Sequence, residues 1–374
     1  MQTDRIRIVF AGGGTGGHLF PAIAIANEIK KLSGNAEITF IGTRHKIESK
    51  VVPQHGYGFK TIWVSGFRRH LTLENVLFPL KIIVALIQSL FLMKRINPHV
   101  VVGTGGYVCG PPLLAASLLG IPTVIQEQNS YPGVTTRLLA SRADQVHLSF
   151  PESKRFLKRT DNVRVTGNPT REIVGRVSRE DGARFFSIVS PIKTLLVFGG
   201  SLGASSINQA ILNCLPSLTK RGIQVVWQTG EIDYQRIAGE ARRLSLTELV
   251  KVHAFIDRME YAYASCDLAV CRSGATTVAE LAKAGVASIL VPYPFAAADH
   301  QTENARAMVN AGAAVLIRDG DLDERLLETI EAIFADPAKM QSMRANALVL
   351  GNPMAATTIA NAVLELARAG RGRA

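Results

Sequence analysis

The segment IRIVFAGGGTGGH, residues 6–18, begins with a mostly apolar stretch, continues with five glycines within six positions and ends in a histidine. Residues 194–204 repeat the arrangement as TLLVFGGSLGA. Glycine directly after a strand allows a tight turn and brings backbone N–H groups against an anion at the start of the next helix. Two such turns, one at the start of each half of the chain, predict two α/β domains and a phosphorylated ligand.

The composition is that of a folded protein with more than one domain and a basic net charge. A chain of 374 residues is too long for one ordinary core. Its 47% hydrophobic and 19% charged residues exclude a disordered chain. The 42 Lys and Arg exceed the 30 Asp and Glu by 12, which favours an acidic partner such as a nucleotide, a pyrophosphate or anionic lipid. Because no basic run carries interleaved aromatic residues, nucleic acid is not a predicted partner.

Apolar strand segments alternate with helical segments along the chain, for example strand 6–10 before helix 20–32. This alternation predicts two doubly wound, Rossmann-like parallel sheets that are covered by helices on both faces. A charged, less periodic segment follows Gly167 and predicts domains 1–167 and 168–352, with helix 353–374 returning to the first domain. Ligands of such sheets bind beyond the carboxyl ends of the strands, here in a cleft that the two domains face.

The first glycine run formally matches the dinucleotide fingerprint, Gly12-x-Gly14-x-x-Gly17. A dehydrogenase also needs an acidic residue after the second strand, and that strand ends in Gly42-Thr43-Arg44 instead. His18 follows the turn directly, where it is either a catalytic base or a structural cap. A further turn, Gly103-Thr104-Gly105-Gly106-Tyr107, is either a second part of an anion-binding floor or an ordinary strand-to-helix turn.

The second half carries candidate donor-binding groups. Ser201 either donates to a phosphate at a helix start or lies in an ordinary strand-to-helix turn. The segment 273–280, SGATTVAE, opens a helix on which Glu280 either binds a ribose diol or is a solvated or capping side chain. Gln301 follows the expected helix cap Asp299 and can meet sugar hydroxyls. Residues 321–323, Asp-Leu-Asp, resemble a metal-binding D-x-D, but their setting predicts a turn and a helix cap, so no metal site is expected.

Taken together, these residues resemble a two-domain glycosyltransferase of the GT-B architecture, and more closely the bacterial MurG family. The resemblance covers nearly the whole chain, as an ordered set: residues 13–18, 103–107, 127–129 (EQN), 168–171 (NPTR), 199–204, 272–280 and 299–301. It implies transfer of N-acetylglucosamine from UDP-N-acetylglucosamine to the 4-hydroxyl of undecaprenyl-pyrophosphoryl-N-acetylmuramyl-pentapeptide, for peptidoglycan synthesis.

The resemblance also implies a place for each substrate. The donor would bind mostly in the second domain, and the lipid acceptor would lie on the first, with its pyrophosphate near the glycine turns. The implied donor contacts are Ser201 at the pyrophosphate, the main chain of Ile256 at the uracil, Glu280 at the ribose, Gln301 at the sugar, and also Ala275, Thr276, Thr15, Gly16, Gly17, Asn129 and Arg171. The implied acceptor contacts are Gly13, Gly14, Gly105, Gly106 and Tyr107.

One departure from the family concerns the base. Many members have His directly before Glu-Gln-Asn, where this chain has Gln126. Because Gln cannot act as a base, we expect His18 to deprotonate the acceptor hydroxyl for an in-line, inverting displacement. No metal or other cofactor is expected, since the second glycine turn and its helix terminus would stabilise the leaving UDP.

The apolar segment from about residue 76 to 93 predicts a helix that is apolar nearly all round, although one apolar face is enough for packing. One interpretation is that Phe78 dips into the inner leaflet while Lys81 attracts anionic lipid. The protein would then act peripherally at the cytoplasmic face of the membrane, with proteins of cell-wall synthesis as further partners. The alternative is a helix buried on both sides.

Two other functions remain open from the residues alone. The first is another enzyme on this architecture, such as a UDP-N-acetylglucosamine 2-epimerase or a transferase with a different acceptor. The second is a non-catalytic module that senses a nucleotide sugar. Consumption of the donor without an acceptor would identify the epimerase, and binding without turnover would identify the sensor.

Overall fold

The structure, a computed structural model of the chain, describes residues 5–66, 78–189, 192–200, 202–296 and 299–371. The chain forms two compact units. The first unit consists of Met1–Arg171 and Pro353–Ala374, and the second of Glu172–Asn352. The boundary lies after Arg171, whereas the sequence predicts it after Gly167.

The first unit alternates parallel strands with helices. Its strands are β1 (Ile6–Ala11), β2 (Ala36–Gly42), β3 (Gly58–Thr61), β4 (Val100–Gly103), β5 (Thr123–Glu127), β6 (Gln145–Leu148) and β7 (Val163–Val165). Its helices before the boundary are α1 (Gly16–Leu32), α2 (Glu48–Gln54), α3 (Phe78–Ile96), α4 (Gly110–Leu118) and α5 (Val134–Leu139). The strands form one parallel sheet in the order β3-β2-β1-β4-β5-β6-β7.

The strand order reverses between β1 and β4. From β1 the chain runs outward through β2 and β3, and it then returns to the other side of β1 to form β4. In open parallel sheets, the crevice beyond the carboxyl ends at such a switch point is the usual ligand site. The glycine turn after β1 and the glycine turn after β4 flank this crevice, so the topology brings the predicted site residues of these two turns together.

Alternate residues of β1 face opposite cores. Ile8 and Phe10 pack in a core with helix α1, while Val9 and Ala11 pack in a second core on the other face of the sheet. All four are fully buried. Residues 8–11 of β1 are covered on both faces of the sheet, and this is why they form a continuous apolar run instead of an alternating one.

Helix α3 has an unusual distribution of its side chains. The buried face consists of Lys81, Ala85, Ser89 and Met93, spaced four residues apart. The opposite face is apolar and exposed, with Leu80, Ile83, Ile87 and Phe91 between 51% and 62% exposed. The helix is therefore not buried on both sides, and among the described residues of the first unit nothing covers this continuous apolar face.

Lys81 does not lie where the sequence interpretation put it. Its side chain is 8% exposed, its ammonium group donates to the Ser65 hydroxyl at 3.1 Å, and it lies over the Trp63 ring at 5.6 Å. This ammonium group is oriented towards the protein, so it is not available to a lipid headgroup. Phe78, the first helical residue, is half-buried.

The second unit repeats the alternation. Its strands are β8 (Thr194–Phe198), β9 (Gln224–Gln228), β10 (Val250–His253), β11 (Leu268–Cys271), β12 (Ala287–Leu290) and β13 (Ala314–Leu316). Its helices are α6 (Arg179–Phe186), α7 (Ser205–Lys220), α8 (Glu231–Arg243), α9 (Met259–Ser265), α10 (Ala275–Ala284), α11 (His300–Asn310), α12 (Leu322–Ala335) and α13 (Pro337–Leu350). The parallel strand order is β10-β9-β8-β11-β12-β13, so the switch point lies between β8 and β11.

The last helix, α14 (Ala355–Arg371), belongs to the first unit, where the Thr357 hydroxyl donates to Glu28 at 2.9 Å on α1. Within the described residues, one helical segment, Pro337–Gly370, is long and apolar enough to cross a membrane. Residues 351–354 divide that segment into α13 and α14, which belong to different units. This division favours two packed helices over a membrane span.

Strand β6, which is internal and mostly buried, was not predicted from the sequence, and neither were β3 and β7. Strands β3 and β7 are short edge strands, and most of their residues are exposed or half-buried. Edge strands lack the continuous apolar run that identifies a buried strand, so the sequence pattern carries little signal for them. Helix α6 was missed for a related reason, because its sequence REDGARFF is mostly polar.

A buried histidine on β6 makes a prediction about stability. His147 is fully buried, its Nε2 lies 3.1 Å from Gln145 Oε1, and its Nδ1 has no partner among the described residues. Burial, together with the nearby Arg164 charge, lowers the pKa of His147 to about 4. Between that value and the ordinary pKa of about 6.5, the unfolded chain binds more protons than the folded one. The free energy of unfolding therefore falls as pH falls through this window.

We expect the free energy of unfolding to fall by up to about 3 kcal/mol less in His147→Gln than in the wild type as the pH is lowered through this window, because the substituted side chain does not titrate. The measurement is urea unfolding at about pH 7 and pH 4.5 for the wild type and the variant, with the exposed His55→Gln as the matched control. Equal losses of stability in the wild type and His147→Gln would contradict the prediction.

Candidate active site

The two glycine turns of the first unit are joined at its switch point. Thr104, directly after β4, donates its backbone N–H to Ala11 O at 3.0 Å and its hydroxyl to His18 O at 2.9 Å. A side chain at Gly12 would collide with Thr104, since a Cβ there would lie 2.0 Å from the hydroxyl oxygen. Gly12 is therefore required for the attachment of one turn to the other.

His18 lies in the first turn of α1, and its ring is half-buried. Its Nδ1 lies 2.9 Å from Oε1 of Gln128, which follows β5 and is 1% exposed. A Cβ at Gly105 would lie only 2.6 Å from the same Nδ1. The turn after β4 thus closes directly over the imidazole, and packing against His18 accounts for the glycine at this position.

A buried carboxylate occupies the first glycine turn. Glu48, at the start of α2, is fully buried and accepts from the Gly14 N–H at 2.9 Å. It also accepts from the N–H and the hydroxyl of Thr43 at 3.0 and 2.7 Å. A Cβ at Gly13 would lie 2.6 Å from its carboxyl carbon. The Gly14 N–H, which the resemblance implies for the acceptor pyrophosphate, is already donated to a side chain of the protein.

Tyr107 packs beside this carboxylate. Burial raises the pKa of its phenol above the usual value, the Glu48 charge adds to that effect, and a hydrogen bond with Thr43 acts in the opposite direction. The phenol is therefore protonated at neutral pH. Gly106 has a φ of +77°, and a Cβ there would lie 2.6 Å from Gly13 O, so glycine is needed for the close approach of the two turns.

Asn129 and Arg171 complete the predicted set in the first unit. The buried carboxylate of Glu127 accepts from the Asn129 N–H at 3.1 Å and from its side-chain amide at 3.3 Å. It also accepts from the Gly133 N–H at 3.0 Å and from the Thr136 hydroxyl at 2.6 Å. These four donors fix the loop after β5. Arg171 is the last residue of the first unit before the chain enters the second, and it is partly buried.

In the second unit, the turn after β8 is connected to the segment that contains Ile256. The Gln228 side chain donates to Gly200 O at 2.9 Å and accepts from the Ile256 N–H at 2.8 Å. Gly200 has a φ of +90°, a conformation that favours glycine. Ser201, predicted to meet the pyrophosphate, lies outside the described residues. The Ile256 N–H already donates to Gln228. The Ile256 carbonyl is therefore the main-chain group of this residue that is left to contact the edge of the uracil.

The turn after β11 begins α10, which carries three of the predicted residues. Glu280 is 7% exposed, and its carboxylate accepts from the hydroxyl of the buried Tyr263 at 3.0 Å. The hydroxyl of Thr276 is buried and has no hydrogen-bond partner in the part of the chain that the structure describes. Ala275 is the first residue of the helix and is also buried. A buried polar group without a partner is costly, so Thr276 marks a position where a ligand atom would be stabilising.

Gln301 lies close to the same helix start. Its carbonyl accepts from the Ser273 hydroxyl at 2.8 Å, and its side-chain Oε1 accepts from the Tyr293 N–H at 2.9 Å. The second contact orients the amide so that its nitrogen is the group that can donate to a sugar hydroxyl. Asp299 stands at the predicted N-cap position of α11, but its carboxylate makes no capping hydrogen bond to the helix backbone and instead accepts from the Thr302 hydroxyl at 2.7 Å.

The acidic residues near the D-x-D-like segment are bound to other side chains of the protein. Asp319 accepts from the Ser206 hydroxyl at 2.8 Å and forms an ion pair with Arg272. Asp323 accepts from the Asn213 amide at 3.4 Å. Across the described ranges, no three His, Cys, Asp or Glu side chains are grouped as metal ligands are.

Four contacts at these two switch points were not predicted: those of Gln128, Glu48, Tyr263 and Gln228. Each residue contacts a predicted site residue or glycine turn more than 15 positions away, for example 110 positions between Gln128 and His18. Spacing along the chain carries no signal at such distances. Of these four residues, only Gln128 had a signal in the sequence, because it is part of the EQN motif at 127–129.

The chain matches two family models, the glycosyltransferase family 28 N-terminal domain over residues 8–148 and the C-terminal domain over residues 194–365. Among curated proteins, it is 43% identical to a UDP-N-acetylglucosamine--N-acetylmuramyl-(pentapeptide) pyrophosphoryl-undecaprenol N-acetylglucosamine transferase of Chlorobium limicola, over 97% of this chain and 100% of that protein. The protein of the same name from Salinibacter ruber is 42% identical, over 98% of each chain.

Comparison with solved structures gives the same family. The crystal structure of Acinetobacter baumannii MurG aligns with a TM-score of 0.76 and 28% identity, over 96% of this chain and 99% of that one. Staphylococcus aureus MnaA, solved with UDP, aligns with a TM-score of 0.68 at 13% identity, over 96% of this chain and 95% of that one, which supports the fold alone. These matches confirm the predicted fold class: the chain belongs to glycosyltransferase family 28, in the MurG family, and is a glycosyltransferase with the GT-B fold.

Proposed function

We propose that this protein transfers N-acetylglucosamine from UDP-N-acetylglucosamine to the 4-hydroxyl of undecaprenyl-pyrophosphoryl-N-acetylmuramyl-pentapeptide, with inversion at the anomeric carbon. The observation that carries the proposal is the imidazole of His18, held by Gln128 at the switch point of the first unit. A histidine ring held at a ligand crevice is suited to remove a proton from an attacking hydroxyl. The names of the relatives supply the donor and the acceptor.

The donor would bind at the switch point of the second unit. Glu280 would accept hydrogen bonds from the ribose diol, and the Ile256 carbonyl would accept from the uracil N–H. The unpartnered hydroxyl of Thr276 supports a ligand at the start of α10. Gln301 would donate its amide to the sugar. Glu280 and Gln301 are already oriented by Tyr263 and by the Tyr293 N–H, which lowers the entropy cost of binding.

The acceptor pyrophosphate would lie at the start of α1. The Glu48 carboxylate at Gly14 disfavours an anion there, because two negative charges would share one turn. The N–H groups of Gly16 and Gly17 lie in the first turn of α1, where a helix has no internal acceptors and its dipole is positive. We therefore assign the anion contact to these amides.

The departing UDP gains negative charge as the sugar–phosphate bond breaks. The glycine turn after β8 leads directly into α7, so its amides and the positive end of the helix would stabilise that charge. We propose that no metal is needed for this step. The engagement of Asp319 with Arg272, and of Asp323 with Asn213, supports this proposal.

The acceptor's lipid tail requires that the protein work at a membrane surface. The exposed apolar face of α3, formed by Leu80, Ile83, Ile87 and Phe91, would insert into the headgroup and acyl boundary of the inner leaflet. Lys94 and Arg95, exposed at the end of the same helix, would each add about 1 kcal/mol of attraction to anionic lipid. We therefore propose peripheral attachment at the cytoplasmic face.

We expect the double variant Ile87→Ser, Phe91→Ser to lower affinity for anionic vesicles by roughly 10-fold or more, because it removes two large apolar side chains from the inserted face. Ile232→Ser is the matched control, since Ile232 is 86% exposed on the second unit. Co-sedimentation with phosphatidylglycerol vesicles measures the effect. Unchanged binding by a folded double variant would contradict the membrane face.

The reaction itself is tested by release of UDP from UDP-N-acetylglucosamine, with and without the lipid-linked muramyl-pentapeptide, in the presence of EDTA. We expect release only with the acceptor and unaffected by the chelator. Turnover of the donor alone would favour an epimerase or a hydrolase. Donor binding without any turnover would favour a nucleotide-sugar sensor, and loss of activity in EDTA would overturn the metal-independent step.

A further inference from the structure

We propose that Gln128 is a positioning residue that holds neutral His18 in the tautomer with a proton on Nδ1, so that Nε2 is the atom that accepts the proton of the attacking hydroxyl. The inference rests on the proposed function, in which His18 is the base. The inference goes beyond that function in naming the ring nitrogen that accepts the proton and the side chain that fixes the tautomer.

The orientation of the Gln128 amide follows from its surroundings. Its side-chain nitrogen lies 2.7 Å from Thr104 O and 3.3 Å from Gln126 O, and it also contacts Gln126 Oε1. A backbone carbonyl can only accept a hydrogen bond. The opposite orientation would place the amide oxygen against those oxygens and leave a buried group unsatisfied, which is unfavourable at a position that is 1% exposed.

The Gln126 amide is oriented in the same way. The Ser149 hydroxyl donates to Glu127 O at 2.9 Å, so its oxygen is left to accept from the Gln126 nitrogen at 3.2 Å. Gln126 then presents its Oε1 to the nitrogen of Gln128. The residue that stands where many relatives have His therefore helps to fix the partner of His18.

The tautomer of His18 follows from these orientations. Gln128 Oε1 lies 2.9 Å from His18 Nδ1 and can only accept, so Nδ1 must carry the proton. A neutral imidazole has one N–H, and the lone pair is then on Nε2. The Gly105 position maintains this pair, because a Cβ there would lie 2.6 Å from Nδ1 and 3.2 Å from Gln128 Oε1.

The partner of His18 is a neutral amide and not a carboxylate. The nearby Glu127 carboxylate accepts instead from the Gly133 N–H and the Thr136 hydroxyl. A carboxylate on Nδ1 would both fix the tautomer and stabilise a charged ring, as in hydrolase triads. Gln128 fixes the tautomer without adding a charge, which suits a base that must release its proton after each transfer.

The direct test is long-range ¹H–¹⁵N correlation NMR of histidine-labelled protein at about pH 8, where an ordinary histidine ring is neutral. The chain has eight histidines, and the His18 signals are assigned by their loss in His18→Asn. We expect the proton on Nδ1 in the wild type and a mixture of tautomers in Gln128→Met. A wild-type ring with its proton on Nε2 would overturn the inference, whatever the activity of the enzyme.

Kinetics supply a second readout. We expect Gln128→Met to lower kcat by roughly 10- to 100-fold, because the reactive tautomer is no longer held, with little change in KM for UDP-N-acetylglucosamine. The matched control is Gln224→Met, which removes an equally buried amide, 1% exposed and hydrogen-bonded, from the second unit.

Wild-type kcat in a folded Gln128→Met variant would overturn the positioning role. An equal loss of kcat in Gln224→Met would also overturn it, since the effect would then belong to any buried amide. A fully active His18→Asn enzyme would instead overturn the base in the proposed function, and the NMR result on the wild-type ring would stand independently of it.

Discussion

His18→Asn is expected to lower kcat by roughly 10²- to 10⁴-fold, the usual contribution of a general base, with KM for UDP-N-acetylglucosamine nearly unchanged. The asparagine amide can still donate to Gln128 Oε1 in place of Nδ1, so the local contact is retained. What is lost is the second ring nitrogen, which is the proposed proton acceptor. The effect should therefore fall on kcat and not on binding of the donor, whose proposed contacts lie mostly in the second unit.

Steady-state kinetics with saturating lipid acceptor measure this loss. His55→Asn is the control, because the same substitution is made there at an exposed histidine. Circular dichroism and donor binding verify that His18→Asn is folded. A folded variant with wild-type kcat would show that another group, or the substrate itself, takes the proton.

Glu280→Gln is expected to lower kcat/KM for UDP-N-acetylglucosamine by roughly 10- to 100-fold, the value of one or two hydrogen bonds to a charged acceptor. The carboxylate is nearly buried, and the Tyr263 hydroxyl orients it at 3.0 Å. The variant keeps the shape but replaces one acceptor oxygen by a donor, so a ribose hydroxyl would meet an N–H. Tyr263→Phe, which only removes the orienting hydrogen bond, should have a smaller effect in the same direction.

A donor that lacks the ribose 2′-hydroxyl separates recognition of the sugar from a general disturbance of α10. If Glu280 binds this hydroxyl, the deoxy donor should be poor for the wild type, while Glu280→Gln should distinguish little between the two donors. If the variant and the wild type lose the same factor with the deoxy donor, the two groups do not interact. The ribose assignment would then be wrong.

Predictions from the sequence succeeded where a buried strand leads into glycine. The runs 8–11 and 195–198 are apolar throughout because the strands they form are covered on both faces, and this pattern is visible without tertiary information. The short edge strands β3 and β7 have no such pattern, because their residues face solvent. Lys81 shows a second limit, since a charged residue in an apolar segment was expected at the surface and is buried against Ser65 and Trp63.

The sequence by itself determined the two parallel-sheet domains, the glycine turns, the position of His18 after the first turn and the resemblance to the MurG family. These features depend on local rules: apolar periodicity, glycine conformation and motif order. Only the tertiary structure revealed that Glu48 occupies the Gly14 amide, that Gln128 holds His18 and that Tyr263 orients Glu280. Such contacts join residues 17 to 110 positions apart, and only strand order brings residues so far apart in the chain close together.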